Sequence, residues 1–306
     1  MDRFDAMSVL LAVTDAGSLS AGARRLGMPL ATVSRKVSEL EAHLHTRLLN
    51  RGSRRLELTD AGQSYVAACR RILEDVVEAE RTASGEYRAP RGELVITAPI
   101  VFGRLHLLPI IGAFLKAYPD IDVRISLADR VVNLLEEHVD LALRIGDLPD
   151  SSLLAARVGS IRRVVCASPE YLEARGAPKT PSDLQSHDCI TFEGLMSPRS
   201  WTFWVKGEPQ PIPVHSRLVV NTAEAAIDMA VAGIGITRVL SYQVAAALAE
   251  GKIAIVLASF QPPPLPVSLV YPGSGLLPLK LRAFLDFATP RLKAVLAKNS
   301  ELIDRA

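Results

Sequence analysis

Thr32, Ser34, Arg35 and Lys36 lie within five residues of one another. Together they offer what a nucleic-acid groove asks for, since short hydroxyls reach base edges and long cations reach phosphates. A little downstream, Arg51, Arg54 and Arg55 flank Gly52-Ser53. That reads as the turn of a small β-wing able to follow a phosphate backbone. The 306-residue chain carries a formal charge of only +2, which by itself argues against such a partner. The charge is unevenly spread, however. Residues 1–58 hold nine basic and six acidic side chains, residues 59–90 hold four and six, and the rest 22 and 21. Between Arg24 and Arg55 there are eight basic residues against two acidic ones, a local field suited to phosphates. A solvated basic face is the alternative, and the elements beneath these residues must decide.

Phe4, Met7, Leu11 and Thr14 recur at helical spacing, and Gly17-Ser18 ends that first helix. A short second helix is predicted from Ser20 to Leu26, with small Ala23 at its centre. Gly27 follows as a residue able to turn at positive φ. A third helix from Leu30 to Leu44 turns Val33, Val37 and Leu40 inward, leaving the hydroxyls and cations outside. Ala23, Gly27 and Val33 form a helix-turn-helix pattern, in which the small residue lets two helices cross and the glycine sets their angle. An ordinary helical hairpin would share that pattern, but the basic face and the arginine-rich wing favour DNA. Ser18, Ser20 and Leu30, at the starts of the second and third helices, complete the candidate DNA-facing set.

The order Ala23, Gly27, Val33-Ser34-Arg35, Leu40-Glu41, Leu48-Leu49, Arg51, Arg54 and Leu58-Thr59-x-Ala61-Gly62 resembles the LysR-type transcriptional regulators. The likeness implies a winged helix-turn-helix bound to a double-stranded operator, a long linker helix and a small-molecule effector domain. One departure concerns Pro29-Leu30, where the family commonly has Ser-Gln. Proline can open a helix but supplies no hydroxyl cap, and leucine makes no amide contact to adenine.

Thr59-Asp60 is expected to cap a helix running to about Ser84. Tyr65, Cys69, Ile72, Val76, Ala79 and Ala83 follow a 4-3-4-3-4 spacing, a heptad seam. The seam can pack on the chain's own domain or on a second copy. A lone helix with so narrow a stripe favours the second copy. The resemblance implies a linker-helix homodimer, often a tetramer, and RNA polymerase is a further candidate partner. Gly85 to Gly92, with Pro90, reads as a hinge.

From Glu93 strands and helices alternate, which implies a parallel α/β fold. Strands are expected at Leu94-Ile96, Ile121-Leu127, Leu141-Ile145, Val164-Ala167, Cys189-Phe192, Gly235-Thr237 and Val267-Tyr271. Helices are expected at Arg104-Ala117, Val131-His138, Thr222-Ala232 and Pro278-Lys298. Two crossovers, near 162 and 267, would divide residues 90–306 into two Rossmann-like subdomains, about 91–162 plus 268–306 and about 163–267. The organisation expected is 1–58 for DNA, 59–89 for the linker and hinge, and 90–306 for the effector.

Leu107-Leu108-Pro109, Tyr118-Pro119, Asp140 to Gly146 and Gly233 to Ile236 resemble the LysR-type effector domain, itself similar to periplasmic binding proteins. That likeness places the cleft at Pro99, Ile100, Val101, Phe102, Ala128, Arg144, Gly146, Phe192, Asn221 and Thr222. Helix starts after Phe102 and Asn221 would favour an anion. Pro99, Ile100 and Val101 make the lining apolar, so an aromatic or acyl effector is expected, held by Thr222 and Arg144. Arg144 could equally pair with Asp147 or Asp150 as a structural ion pair. Trp201, Phe203 and Trp204 read as core or lid aromatics.

Enzyme readings are weaker. There is no phosphate-binding glycine loop and no Gly-x-Ser-x-Gly elbow, and His43, His45, His106, His138, His187 and His215 are scattered. No cofactor or metal site is expected. An enzyme fused to a DNA-binding unit, or a sensor without specific DNA sites, remain as alternatives. The longest apolar stretch read from the sequence, Leu94 to Gly103, is about half of what a membrane helix needs. The N-terminus lacks a basic-then-apolar leader, and three widely spaced cysteines suit a reducing cytoplasm.

Overall fold

The computed structural model describes residues 2–50, 56–84, 89–130, 132–134, 136–148, 153–193, 199–273 and 277–305. Within 60–84 the side chains at 71, 74, 75, 78, 79 and 81–84 are not described. The chain forms two units, Met1–Gly92 and Glu93–Ala306.

In the first unit, Asp2 caps helix α1 (Arg3–Asp15) by accepting from the amides of Phe4 and Asp5. Its buried face is Ala6, Met7, Val9, Leu10, Ala12 and Val13, whereas Phe4 is 51% exposed. The stripe expected through Phe4, Leu11 and Thr14 is therefore rotated, because the periodicity admits two adjacent faces in an apolar helix. Ser18 caps α2 (Leu19–Leu26), which ends on Gly27 in the left-handed region at φ 63°. Alongside Ala23, the close crossing rests on Gly22, where a Cβ would lie 2.7 Å from the Val13 backbone. Helix α3 (Leu30–His43) opens at Pro29 without a side-chain cap and buries Val33, Val37 and Leu40.

Strands β1 (Leu49–Asn50) and β2 (Glu57–Leu58) pair antiparallel as the base of the wing. The buried carboxylate of Glu41 accepts from the amides of Leu48 and Leu49 at 2.8 and 3.1 Å. Thr59 closes the other side. Its hydroxyl donates to the Arg47 carbonyl at 2.8 Å and accepts from the Gly62 amide at 2.9 Å, opening helix α4 (Asp60–Ser84). Gly62 lies against the Leu48 carbonyl, leaving no room for a Cβ.

The second unit holds two five-stranded sheets. Strand β3 (Gly92–Ala98) leads into a helical run made of α5 (Ile100–Phe102), a π-helical segment (Gly103–Leu107) and α6 (Leu108–Ala117). Strands β4 (Ile121–Leu127), β5 (Leu141–Ile145) and β6 (Leu153–Ile161) follow. The chain then crosses to the second sheet through β7 (Arg163–Ala167), α7 (Pro169–Arg175), β8 (Asp188–Phe192), β9 (Ser200–Val205), β10 (Glu208–Pro213) and β11 (His215–Val220). Helix α8 (Ala223–Val231), β12 (Ile236–Leu240), α9 (Ser241–Ala249) and β13 (Ala254–Val256) complete it. The return is β14 (Leu265–Pro272), followed by α10 (Leu279–Asp304).

The sheet orders are β4-β3-β5-β14-β6 and β11-β8-β12-β7-β13, with β9 and β10 forming a separate hairpin. Neither sheet is purely parallel. β14 runs antiparallel to β5 and β6, and β7 antiparallel to β12 and β13. Each of these two strands is the first after a crossing and enters from the opposite side, which reverses its direction. One further expectation changes. The described residues of 131–138 form turns rather than a helix, with the Glu137 amide donating to the Asn133 carbonyl, the Val139 amide to the Leu134 carbonyl, and His138 at φ 56°. Trp201 and Phe203 are buried core residues.

One core, including Phe102, Leu107, Phe114, Leu143, Leu269 and Phe284, fills the first lobe, and others line both faces of the second sheet. By length and composition one helical run, Ile100–Ala117, could cross a membrane. Here Phe102, Leu107, Ile110, Ile111 and Phe114 pack it against the first sheet.

Candidate effector cavity and DNA-facing surface

The two sheets of the second unit face each other across a cavity of about 260 Å³. Ala98, Ile145, Phe192 and Leu240 reach it from the C-terminal ends of β3, β5, β8 and β12, the ends at which α/β folds bind ligands. Pro99, Ile100, Val101, Ala128, Arg144, Phe192, Asn221 and Thr222 all line it, as expected. Phe102 and Gly146 do not. Phe102 is fully buried behind the wall, edge-on to His106 and Tyr242 at 5.0 and 5.1 Å between ring centroids. Gly146, at φ 106°, turns the chain out of β5.

Sequence reasoning missed several lining residues. Arg163 and Leu265 come from the starts of β7 and β14, the two reversed strands. A parallel reading would place those ends on the far side. Tyr242 and Gln243 come from the first turn of α9, and Asp129, Arg130 and Glu224 from loop and helix starts.

The electrostatics also differ from expectation. The first cleft helix begins at Ile100 rather than after Phe102, and the Ile100 amide donates to Asp129 Oδ1 at 3.1 Å. One of that helix's amides is therefore already satisfied. Thr222 caps α8, its hydroxyl oxygen accepting from the Ala225 amide at 3.2 Å, so its proton is free to be donated elsewhere. Arg144 donates to the Val132 carbonyl, and among the described residues it pairs with neither Asp147 nor another carboxylate. Asp150 lies outside those residues. Burial lowers the Arg144 pKa, with Glu137 opposing that shift. Burial also pushes the pKa of the Tyr242 hydroxyl up, and the charges of Asp129 and Glu224 add to that rise. Among the described residues no group of His, Cys, Asp and Glu could hold a metal.

In the first unit, Leu30 and Arg35 are exposed on α3, with Thr32 and Ser34 half-buried on the same helix. Arg35 is held by Glu39 at 2.8 Å. Lys36 departs from its expected place on that surface, for it is ion-paired with Asp5 of α1. Ser18 is spent on capping α2, and Ser20 lies 3.3 Å from it. Arg51, Arg54 and Arg55 lie outside the described residues.

The heptad seam divides. Cys69 is fully buried within the unit and Tyr65 packs on the helix-turn-helix core, so these two face the chain's own domain. Ile72 is exposed and Val76 half-buried, while the side chains of Ala79 and Ala83 lie outside those described.

Two family profiles match. The bacterial regulatory helix-turn-helix of the LysR family covers residues 4–63, and the LysR substrate binding domain covers residues 88–293. The chain belongs to the LysR family of transcriptional regulators. An HTH-type transcriptional repressor of Pseudomonas aeruginosa is 34% identical over 304 residues, 99% of this chain and 95% of the relative. The HTH-type transcriptional activator AaeR of Escherichia coli is 32% identical over 289 residues, 94% of each. Among solved structures, CrgA, a LysR-type transcriptional regulator of Neisseria meningitidis, superposes with a TM-score of 0.60 at 32% identity. That match covers 94% of this chain and 98% of CrgA. LysR-type proteins are DNA-binding regulators with an effector domain, and not enzymes. They bind DNA and small molecules and form oligomers. The helix-turn-helix with its wing base, followed by a two-sheet α/β domain, is the architecture of that family.

Proposed function

We propose that this LysR-family chain binds an operator through α3 and its wing, and that a small anionic effector with an apolar body, seated between the two sheets, modulates that binding. The observation that carries the reading is the cavity. It has apolar walls and arginines, lies at the strand ends of one unit, and belongs to a chain whose other unit is a helix-turn-helix. Thr32, Ser34 and Arg35 are the base- and phosphate-facing set of α3, extended by Leu30 and by Arg51, Arg54 and Arg55 of the wing. Ser18 and Ser20 serve the start of α2 and can offer hydroxyls to a phosphate beside it. Lys36 is assigned to holding α3 on α1, and contributes to DNA affinity only through that support.

Ile72, exposed on a long helix, and half-buried Val76 beside it support pairing with a second copy along the outer half of α4; Ala79 and Ala83 belong to the same proposed seam. A tetramer, contact with RNA polymerase at the bound promoter and a cytoplasmic setting belong to the same reading. The mechanism is a population shift: a ligand preferring one arrangement of the two lobes biases the chain towards it, by no more than its difference in affinity. Footprinting on the region upstream of the gene tests this, with unaltered protein and with Ala128→Trp, which fills the cavity. A footprint changed by small carboxylates in the unaltered chain but not in A128W supports the proposal. An absence of any footprint sinks it.

A further inference from the structure

Around the cavity the charges do not balance. Asp129 accepts from the Ile100 amide and keeps its single negative charge, while Glu224 pairs with Arg104 at 3.2 Å. Arg130 is held by both carboxylate oxygens of Glu137 at 2.6 and 2.7 Å. Two guanidiniums remain. Arg144 of β5 has a neutral carbonyl as its hydrogen-bond partner. Arg163 of β7 has neither a hydrogen bond nor an ion pair among the described residues, although it is half-buried in the cavity wall. The two come from opposite sheets.

On β12, which pairs with β7, Arg238 is only 5% exposed and sits 5.2 Å above the Phe203 ring. It too lacks a carboxylate among the described residues, and burial together with the Arg163 charge lowers its pKa to about 10. Cations taken from water without a counter-charge are costly. Such cost is retained where a ligand removes it, which is the usual conflict between stability and function at binding sites.

We infer that Arg163 is the anchor for the effector's anionic group. It acts with Arg144 from the facing sheet, so that a carboxylate is held between the two lobes while the apolar body lies against Ile100, Val101, Phe192 and Leu265. This rests on the cavity being the effector site and adds the chemical class that fits it: a small monocarboxylate on a flat or acyl body. A carboxylate spanning the two guanidiniums receives charge-assisted hydrogen bonds from both lobes, and so favours their closed arrangement.

The test uses the full chain with benzoate and its neutral counterpart benzamide, followed by calorimetric titration and thermal melting. Benzoate is expected to bind and to raise the melting temperature, and benzamide is not. Arg163→Gln is expected to weaken benzoate by at least about tenfold, with Arg163→Lys recovering part of the loss. Ligand-free R163Q is expected to melt at or above the unaltered temperature, because an unbalanced cation has gone.

Unchanged benzoate affinity in R163Q overturns the assignment, as does benzamide binding as well as benzoate. Failure of benzoate to bind the unaltered chain overturns it too. A ligand-free R163Q that melts well below the unaltered chain would mark Arg163 as structural and overturn it likewise. Ala128→Trp separates the two readings. Benzoate retained in A128W places binding outside the cavity and removes the reading beneath. Benzoate lost in A128W but untouched in R163Q removes the anchor alone.

Discussion

The guanidinium of Arg104, in the π-helical segment of the first lobe, lies 3.2 Å from the carboxylate of Glu224 in the first turn of α8, in the second. One ion pair therefore joins the two lobes beside the cavity. Both partners are well exposed, so its contribution to stability is about 0–1 kcal/mol. Its leverage is on the balance between lobe arrangements. Glu224→Gln is expected to move the melting temperature by less than about 3 °C, while shifting the effector concentration that half-changes operator binding. Gel shifts across an effector titration check this, and an unmoved midpoint would remove the pair from the response.

Neighbouring cations on α3 are predicted to behave differently. Arg35 is exposed and tethered only to Glu39, whereas the Lys36 side chain is 20% exposed against Asp5. Arg35→Ala should weaken operator binding and lower the salt slope by about one, with melting almost unchanged. Lys36→Gln should lower stability by up to about 1 kcal/mol and leave the salt slope intact. Paired salt series and melts decide; a reduced slope in K36Q would return Lys36 to the phosphates.

The base of the wing depends on contacts that tolerate little change. Glu41→Ala would strand the buried amides of Leu48 and Leu49, at about 1–3 kcal/mol for each unpaired group. Gly62→Ala would drive a methyl into the Leu48 carbonyl and cost about 1–3 kcal/mol through displaced backbone. Both should lower the urea midpoint of the first unit and abolish operator binding together, while effector binding by the second unit persists.

Two histidines make the second unit sensitive to acid. Burial lowers the pKa of His106, whose Nε2 lies 3.4 Å from Asn299 Nδ2. It also lowers that of His187, whose Nδ1 lies 3.2 Å from the Tyr171 hydroxyl. As pH falls through the unfolded value of about 6.5, the unfolded chain takes up protons that the native state refuses. The stability these neutral rings contribute is thus complete above about 6.5 and is lost as pH falls towards their lowered native values. Unfolding free energies between pH 7.5 and about 5 should decline, and His106→Gln should flatten the decline. A slope unchanged in H106Q would acquit that ring.

Thr222 caps α8 with its hydroxyl oxygen and also lines the cavity. Thr222→Ala should cost about 1 kcal/mol of stability, and Thr222→Ser should restore it. If the hydroxyl also meets the effector, serine should restore the effector response in gel shifts as well.

The residues that were legible in the sequence are those whose role is local. Ala23, Gly27 and Val33 announce the helix crossing because turn and period are written within a dozen positions. The cavity walls at Pro99 to Val101, Phe192 and Thr222 come through the likeness to the LysR-type effector domain. What escaped depends on direction and distant pairing. Arg163 and Leu265 reach the cavity only because β7 and β14 run backwards, which no short window reveals. The hairpin was hidden because Pro209, Pro211 and Pro213 look unlike a strand. They recur at alternate positions of a strand paired on one side only, where missing amides do little harm. Cys69 met the heptad spacing yet is buried within the first unit, since spacing defines a stripe and not what covers it.

The π-helical segment Gly103–Leu107 works as a gear between two rotational settings. Ahead of it, Ile100 and Val101 point into the cavity; beyond it, Ile110, Ile111 and Phe114 point into the core. A π turn accommodates one more residue than a regular turn. Deleting a single residue there would let the whole run relax into plain α-helix, turning its first residues by about 100° relative to the core. The cavity wall would then be dialled out of place although no lining residue had changed. Helical length in this segment thus sets the shape of the cavity wall, independent of which side chains line it.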